Sequence, residues 1–215
     1  DEREEMRLHD TRIMHFDIEA TSLEASFGHA LCMGFRYNDE KKTRVVTIYD
    51  QPAKGDEEPD AGLMRYLHNL LTNKADILVS WYGKEYDRKF LNSRMLMSGL
   101  PPMPPLNAEH IDLYFTYRGN LKLHSGRLQG VSESLGCPIS KTPVRADVWR
   151  QAQRGNKKAM GYIVDHCKRD VDILHWLYGK LRPFVRLHPP VSMEVGACRV
   201  CGGTDYIRQG YRMTA

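Results

Sequence analysis

A chain of 215 residues, 41% hydrophobic and 27% charged, has the size and balance of one ordinary soluble domain with room for a small appendage. Its net charge of +4 and pI near 8.8 are mildly basic, which suits nucleic acid without requiring it, and no apolar run is long enough to make a membrane helix. The five cysteines, at 32, 137, 167, 198 and 201, are odd in number and scattered, which argues against a disulfide scaffold and for a reduced, cytoplasmic protein.

Residues 1–10 read as a polar lead-in; they contain no signal-peptide core and do not begin with Met, as in a chain trimmed at its start. Residues 11–19 form the first convincing strand. Ala30–Tyr37 and Thr43–Tyr49 follow as strands joined by the polar loop 38–42, so the chain opens with an antiparallel meander. Ala61–Asn73 carries Leu63, Tyr66, Leu67, Leu70 and Leu71 at helical spacing. Ile77–Trp81 is a short central strand. Asp87–Ser98 is a helix stopped by the proline-rich stretch from Gly99 to Pro105. His110–Tyr114 is either a short strand or the entry to a helix. Leu128–Leu135 is a helix ended by Gly136, and Ala146–Gly155 and Lys157–Lys180 are helices. Strands first and helices last imply an α/β fold, a mixed central sheet flanked by helices.

Asp17 and Glu19 stand two apart in Phe16-Asp17-Ile18-Glu19, so on a strand they share a face. Two converging carboxylates are unfavourable unless a cation neutralises them, and oxygen ligands suit Mg²⁺ or Mn²⁺. The plain alternative is an edge strand with two solvated acids. Asp87 opens a helix after Trp81-Tyr82-Gly83, where the helix dipole alone would favour an acid. His166 and Asp170, four apart, share a helix face, as a general base beside a metal ligand or as a plain ion pair.

In order, these stretches resemble the motifs of the DEDD superfamily of 3′–5′ exonucleases: Phe16–Thr21, Tyr82–Leu91 and His166–Val171. With His110–Leu113 and Leu128–Gly136, the chain is most similar to the predicted RNase H-like, DnaQ-like exonucleases related to the proofreading domain of family B polymerases. The resemblance spans residues 11–182 and implies an RNase H-like fold. It also implies two-metal hydrolysis of phosphodiesters, with Asp17, Glu19, Asp87 and Asp170 holding two Mg²⁺ or Mn²⁺ ions and His166 assisting the water. His166 takes the position of the superfamily's tyrosine branch, four before the last Asp, but the residue of its histidine branch; Tyr162, one turn earlier, is the reserve base. Thr21, Ser22 and Leu23 would meet the terminal nucleotide, with Leu23 either a wedge or a core-packing residue. Tyr82 and Tyr86 would stack on a base, with buried packing the alternative for Tyr86, and Lys84, Arg88, Lys89 and Arg94 would meet phosphates or form a solvated basic face. His110 and Asp112 read as structural, and Asp165 and Asp172 as lying on other helix faces.

Beyond a linker at 183–190, residues 191–215 read as a separate tail. Cys198-Arg199-Val200-Cys201-Gly202 resembles one knuckle of a zinc ribbon, half of a four-ligand site. The missing half implies a chain cut before its second pair, or a protein partner or second chain that completes the Zn²⁺ site. Two ordinary thiols are the alternative. The whole reads as a metal-dependent exonuclease acting on nucleic acid 3′ ends, DNA favoured over RNA, in the cytoplasm of a bacterium or a phage-infected cell. A 3′–5′ exoribonuclease and a non-catalytic nucleic-acid-binding module are the alternatives.

Overall fold

The strand β1 (Ile13–Ala20) has packed neighbours on both faces. Met14, Phe16 and Ile18 are buried on one face, while His15, Asp17 and Glu19 alternate with them on the other. The computed structural model describes residues 11–103, 109–140 and 142–186, with 188, 189, 191, 198 and 203. Residues Arg12–Val185 form one compact unit, and the two ends of the chain form a second, few of whose residues are described. Among the described residues no helix is long and apolar enough to cross a membrane.

Strands β2 (Ala30–Tyr37) and β3 (Arg44–Thr47) extend β1 antiparallel on one side. On its other side β4 (Ile77–Ser80) and β5 (Glu109–Asp112) run parallel to it, in the order β3-β2-β1-β4-β5. The opening meander and the mixed sheet are as the sequence predicts. The parallel strands need crossovers, and these carry α1 (Ala61–Asn73) and α2 (Asp87–Met97). His110–Tyr114 is both of its expected things: β5 ends at Asp112, whose side chain caps α3 (Leu113–Asn120) by accepting from Tyr114 N. Then come α4 (Leu128–Ser134), α5 (Ala146–Gln153), α6 (Lys157–Leu181) and a 3₁₀ turn, Arg182–Phe184.

Helix α6 is the element that covers the carboxylate face of β1. Asn156 caps it, accepting from Lys158 N and Ala159 N. Its stripe of Met160, Ile163, Cys167, Val171, Leu174 and Tyr178 recurs every three or four residues and is buried. Gly34, opposite Asp17 in the β1–β2 pairing, permits the close approach: a Cβ there would sit 2.9 Å from Cys167 Sγ and 3.0 Å from Val171 Cγ2.

Arg94 does not face phosphate. It is 2% exposed and is held by Asp60, with Nη2 at 2.6 Å from Oδ1, and by Glu58 at 2.8 Å. Its Nη1 also donates to Ala25 O, and Asp60 accepts from Ala30 N. The reason is helical phase: Asp87, Phe90, Leu91, Arg94 and Met95 form the buried stripe of α2. The pair ties α1 and α2 to the segment after β1. Removing one partner of a buried ion pair strands the other, so Arg94→Ala should lower unfolding stability by about 3–5 kcal/mol. Lys89→Ala, on the exposed side of the same helix, should change it by less than about 1 kcal/mol. Urea unfolding followed by circular dichroism checks both.

Candidate active site

Alternation on β1 aims Asp17 and Glu19 at α6, as their spacing predicts, and the helix answers with residues from adjacent turns. Ligand-capable atoms of Asp17, Glu19 and Cys167 lie within 4.8 Å of one another, and so do those of Glu19, His166 and Asp170. Glu19 belongs to both groups. His166 Nε2 stands 3.6 Å from Glu19 Oε1 and 3.8 Å from Asp170 Oδ2. The ring is therefore positioned by two carboxylates at distances longer than a hydrogen bond. Cys167 points its thiol at Asp17 O, 3.6 Å away, and its neighbour Cys32 and burial push that thiol up.

Asp87 reaches the same strand from the other side of the β1–β4 seam. It is buried, its Oδ1 accepts from Ile18 N at 3.1 Å, and it stands outside both groups of three. Burial pushes its carboxyl up to about 7, against the opposing pull of the Ile18 N–H. A nearby cation would favour the charged form again. The donor set is dominated by carboxylate oxygen with one imidazole, and the Cys167 thiol beside it is held protonated by Cys32 and burial, so the set fits a hard divalent ion.

The turn that delivers Asp87 is strained. Tyr82 has φ +64, a region that bulky residues rarely occupy. Asp112 secures it, accepting from Tyr82 N at 2.8 Å and Lys84 N at 3.0 Å. Gly83 is needed beside it, since a Cβ would fall 2.4 Å from Ser80 Oγ. Ser80 Oγ in turn pairs with His110 Nε2 at 2.7 Å, and burial drives the His110 pKa down to about 3, so that ring is neutral. His110 and Asp112 are thus braces.

A cleft of about 570 Å³ opens on Asp17 and Asp87 and is walled by Leu23, Tyr82, Tyr86, Phe90 and Lys89 among others. A second, of about 390 Å³, lies between Thr21–Leu23 and Trp149 and Arg150 of α5. Leu23 and Tyr86 border both, and Leu23 is 80% exposed, a ridge rather than a core residue. Thr21 is pinned to His29 by backbone and side chain, and Tyr86 donates its hydroxyl to Ser22 O. Burial and the nearby Asp87, Glu19 and Asp17 raise the Tyr86 phenol to about 12.

Other expected residues fall elsewhere. The Tyr162 hydroxyl is committed to Pro143 O, whereas His166 lies among the acids. Lys84 is exposed at the turn but does not wall the cleft. Lys89 pairs with Glu85, Asp172 with Arg36 and Thr43, and Asp165 is exposed. Cys201 lies outside the described residues, and Cys167 is buried beside Asp17. The sequence reading missed Trp149, a partly buried ring at the second cleft, and Phe115, an exposed ring beside Tyr82. The only sequence signal of Phe115 is an aromatic on the polar side of a short helix.

The sequence matches the family model of the RNase H superfamily over residues 14–182. No curated protein sequence matches it. Among solved structures it is similar to the family B DNA polymerase of the hyperthermophilic archaeon Pyrobaculum calidifontis. The TM-score is 0.60 at 16% identity, over 80% of this chain and 25% of the polymerase. The chain thus spans about a quarter of that polymerase's length, and the likeness is one of fold. With its mixed sheet, crossovers and acid-bearing first strand, the chain belongs to the RNase H superfamily.

Proposed function

We propose that the protein is a metal-dependent 3′–5′ exonuclease that hydrolyses the terminal phosphodiester of DNA. The observation that carries this reading is the convergence of Asp17 and Glu19 from β1 with His166 and Asp170 from α6, beside a cleft that also reaches Asp87. The DNA polymerase with the same fold supports DNA as the substrate.

Asp17, Glu19, Asp87 and Asp170 would hold two Mg²⁺ or Mn²⁺ ions. When bound, the ions supply charge neutralisation at the phosphate and an acidified water. The residues of the chain do the rest. Glu19 and Asp170 flank His166, whose imidazole would take the water's proton. Asp87, fixed by Ile18 N–H, would hold an ion beside the leaving 3′-oxygen. Leu23 parts the last base from its neighbour, Thr21 and Tyr82 border the nucleotide, and Lys84 attracts the phosphates. In the tail, Cys198 and Cys201 are read as half a zinc ribbon completed by a partner, and Cys198 N donates to Gly203 O at 2.8 Å.

Matched 3′- and 5′-labelled single strands of DNA and RNA, incubated with Mg²⁺, Mn²⁺ or EDTA, test the activity. Stepwise loss from the 3′ end should need metal and disappear in Asp17→Ala/Glu19→Ala. A folded protein that cuts neither strand with either metal overturns the reading, and a preference for RNA transfers it to a ribonuclease. His166→Ala should slow single-turnover cleavage by roughly 10²–10⁴-fold. Tyr162→Phe should leave the rate unchanged; the reverse pattern would move the base to Tyr162. Atomic absorption should find zinc that Cys198→Ser releases, and zinc-free protein removes the ribbon reading.

A further inference from the structure

Beside the cleft stands a wall of aromatic rings that the hydrolytic chemistry does not use. Its inner members are pinned: Trp81 Nε1 donates to Gly126 O, the Tyr117 hydroxyl to Ser125 O, and the two rings stack at 5.8 Å. Its outer members face solvent. Tyr82 is 44% exposed and Phe115, on α3, is 46% exposed; their rings are 6.1 Å apart and tilted by 35°. Tyr114 supports both from behind, edge-on, at 4.8 and 5.3 Å.

Burying Phe115 would be favourable, and Tyr82 sits on a backbone that disfavours a bulky residue. Asp112 holds this arrangement at both ends, since it anchors the Tyr82 turn and caps the helix that bears Phe115. Positive charge lies alongside. Lys84 is exposed and acts on the pKa of His110 and Asp112, and Arg118, one turn after Phe115 on α3, is exposed. Tyr82 is itself a wall of the cleft that opens on Asp17 and Asp87, so the platform continues the proposed site.

We infer that Tyr82 and Phe115 form a stacking platform for the unpaired bases of a single-stranded nucleic acid whose 3′ end lies at the carboxylates. This rests on the exonuclease reading for its orientation, not for the binding itself. Flat rings offered beside cations are the chemistry that holds successive bases irrespective of sequence, and a duplex hides those base faces. The platform therefore selects frayed or single-stranded ends over paired ones.

Anisotropy of a 5′-fluorescein-labelled single-stranded oligodeoxynucleotide, in EDTA so that no strand is cut, tests the platform. Phe115→Ala should weaken binding roughly five- to hundredfold. Phe115→Trp should restore it, and Phe115→Leu, apolar but not planar, should not. A blunt duplex of the same length should bind the wild type and Phe115→Ala alike. An abasic sugar walked back from the 3′ end should find a position where the loss is not additive with Phe115→Ala. Equal binding by wild type and Phe115→Ala, rescue by Leu as good as by Trp, or no binding by the wild type overturns the platform. Binding that depends on Phe115 without any metal-dependent cleavage keeps the platform and removes the exonuclease. Cleavage with binding indifferent to Phe115 does the opposite.

Discussion

Everything in the candidate site depends on how closely α6 lies on β1. Asp17 and Glu19 come from the sheet, and His166 and Asp170 from the helix, so one separation decides whether they meet. Gly34 sets it. The absent side chain lets Cys167 and Val171 descend onto β2 directly opposite Asp17, and Cys167 reaches the Asp17 carbonyl. A larger residue there would lift the helix and pull His166 and Asp170 away from Glu19. The same packing concentrates negative charge in a poorly solvated place, an arrangement that needs neutralising partners.

A second constraint works from the opposite side of β1. Asp87 must cross the parallel β1–β4 seam to reach Ile18, and it does so at the end of a turn that holds Tyr82 in left-handed backbone. Asp112 stabilises that turn by accepting two of its N–H groups while capping α3. One buried carboxylate thus couples the placement of an acid in the site to the placement of the exposed aromatic face beside it. Arg94 plays a similar part further out, where its pairing with Asp60 locks α2 to the segment that follows β1.

The fold is that of the RNase H superfamily, and the acid cluster lies between its first strand and α6. End polarity depends on groups that a bound strand would touch. Leu23, standing between two clefts, and the ring pair of Tyr82 and Phe115 are the exposed apolar surfaces nearest the acids.

By itself the sequence determined the local order of things. Alternation put Asp17 and Glu19 on one face, helical period put His166 and Asp170 on another, and the strands and helices follow the hydrophobic pattern from Ile13 to Leu181. The likeness of three short motifs to those of the DEDD exonucleases implied the fold, and the family match over residues 14–182 bears it out. Only the tertiary structure decided what faces what. It buried Arg94 instead of offering it to phosphate, turned Tyr162 toward Pro143 and left His166 among the acids. It also set Cys167 beside Asp17 and brought Phe115 to Tyr82. Those outcomes depend on contacts between residues far apart in the chain, and on packing in three dimensions, which no period along the sequence records.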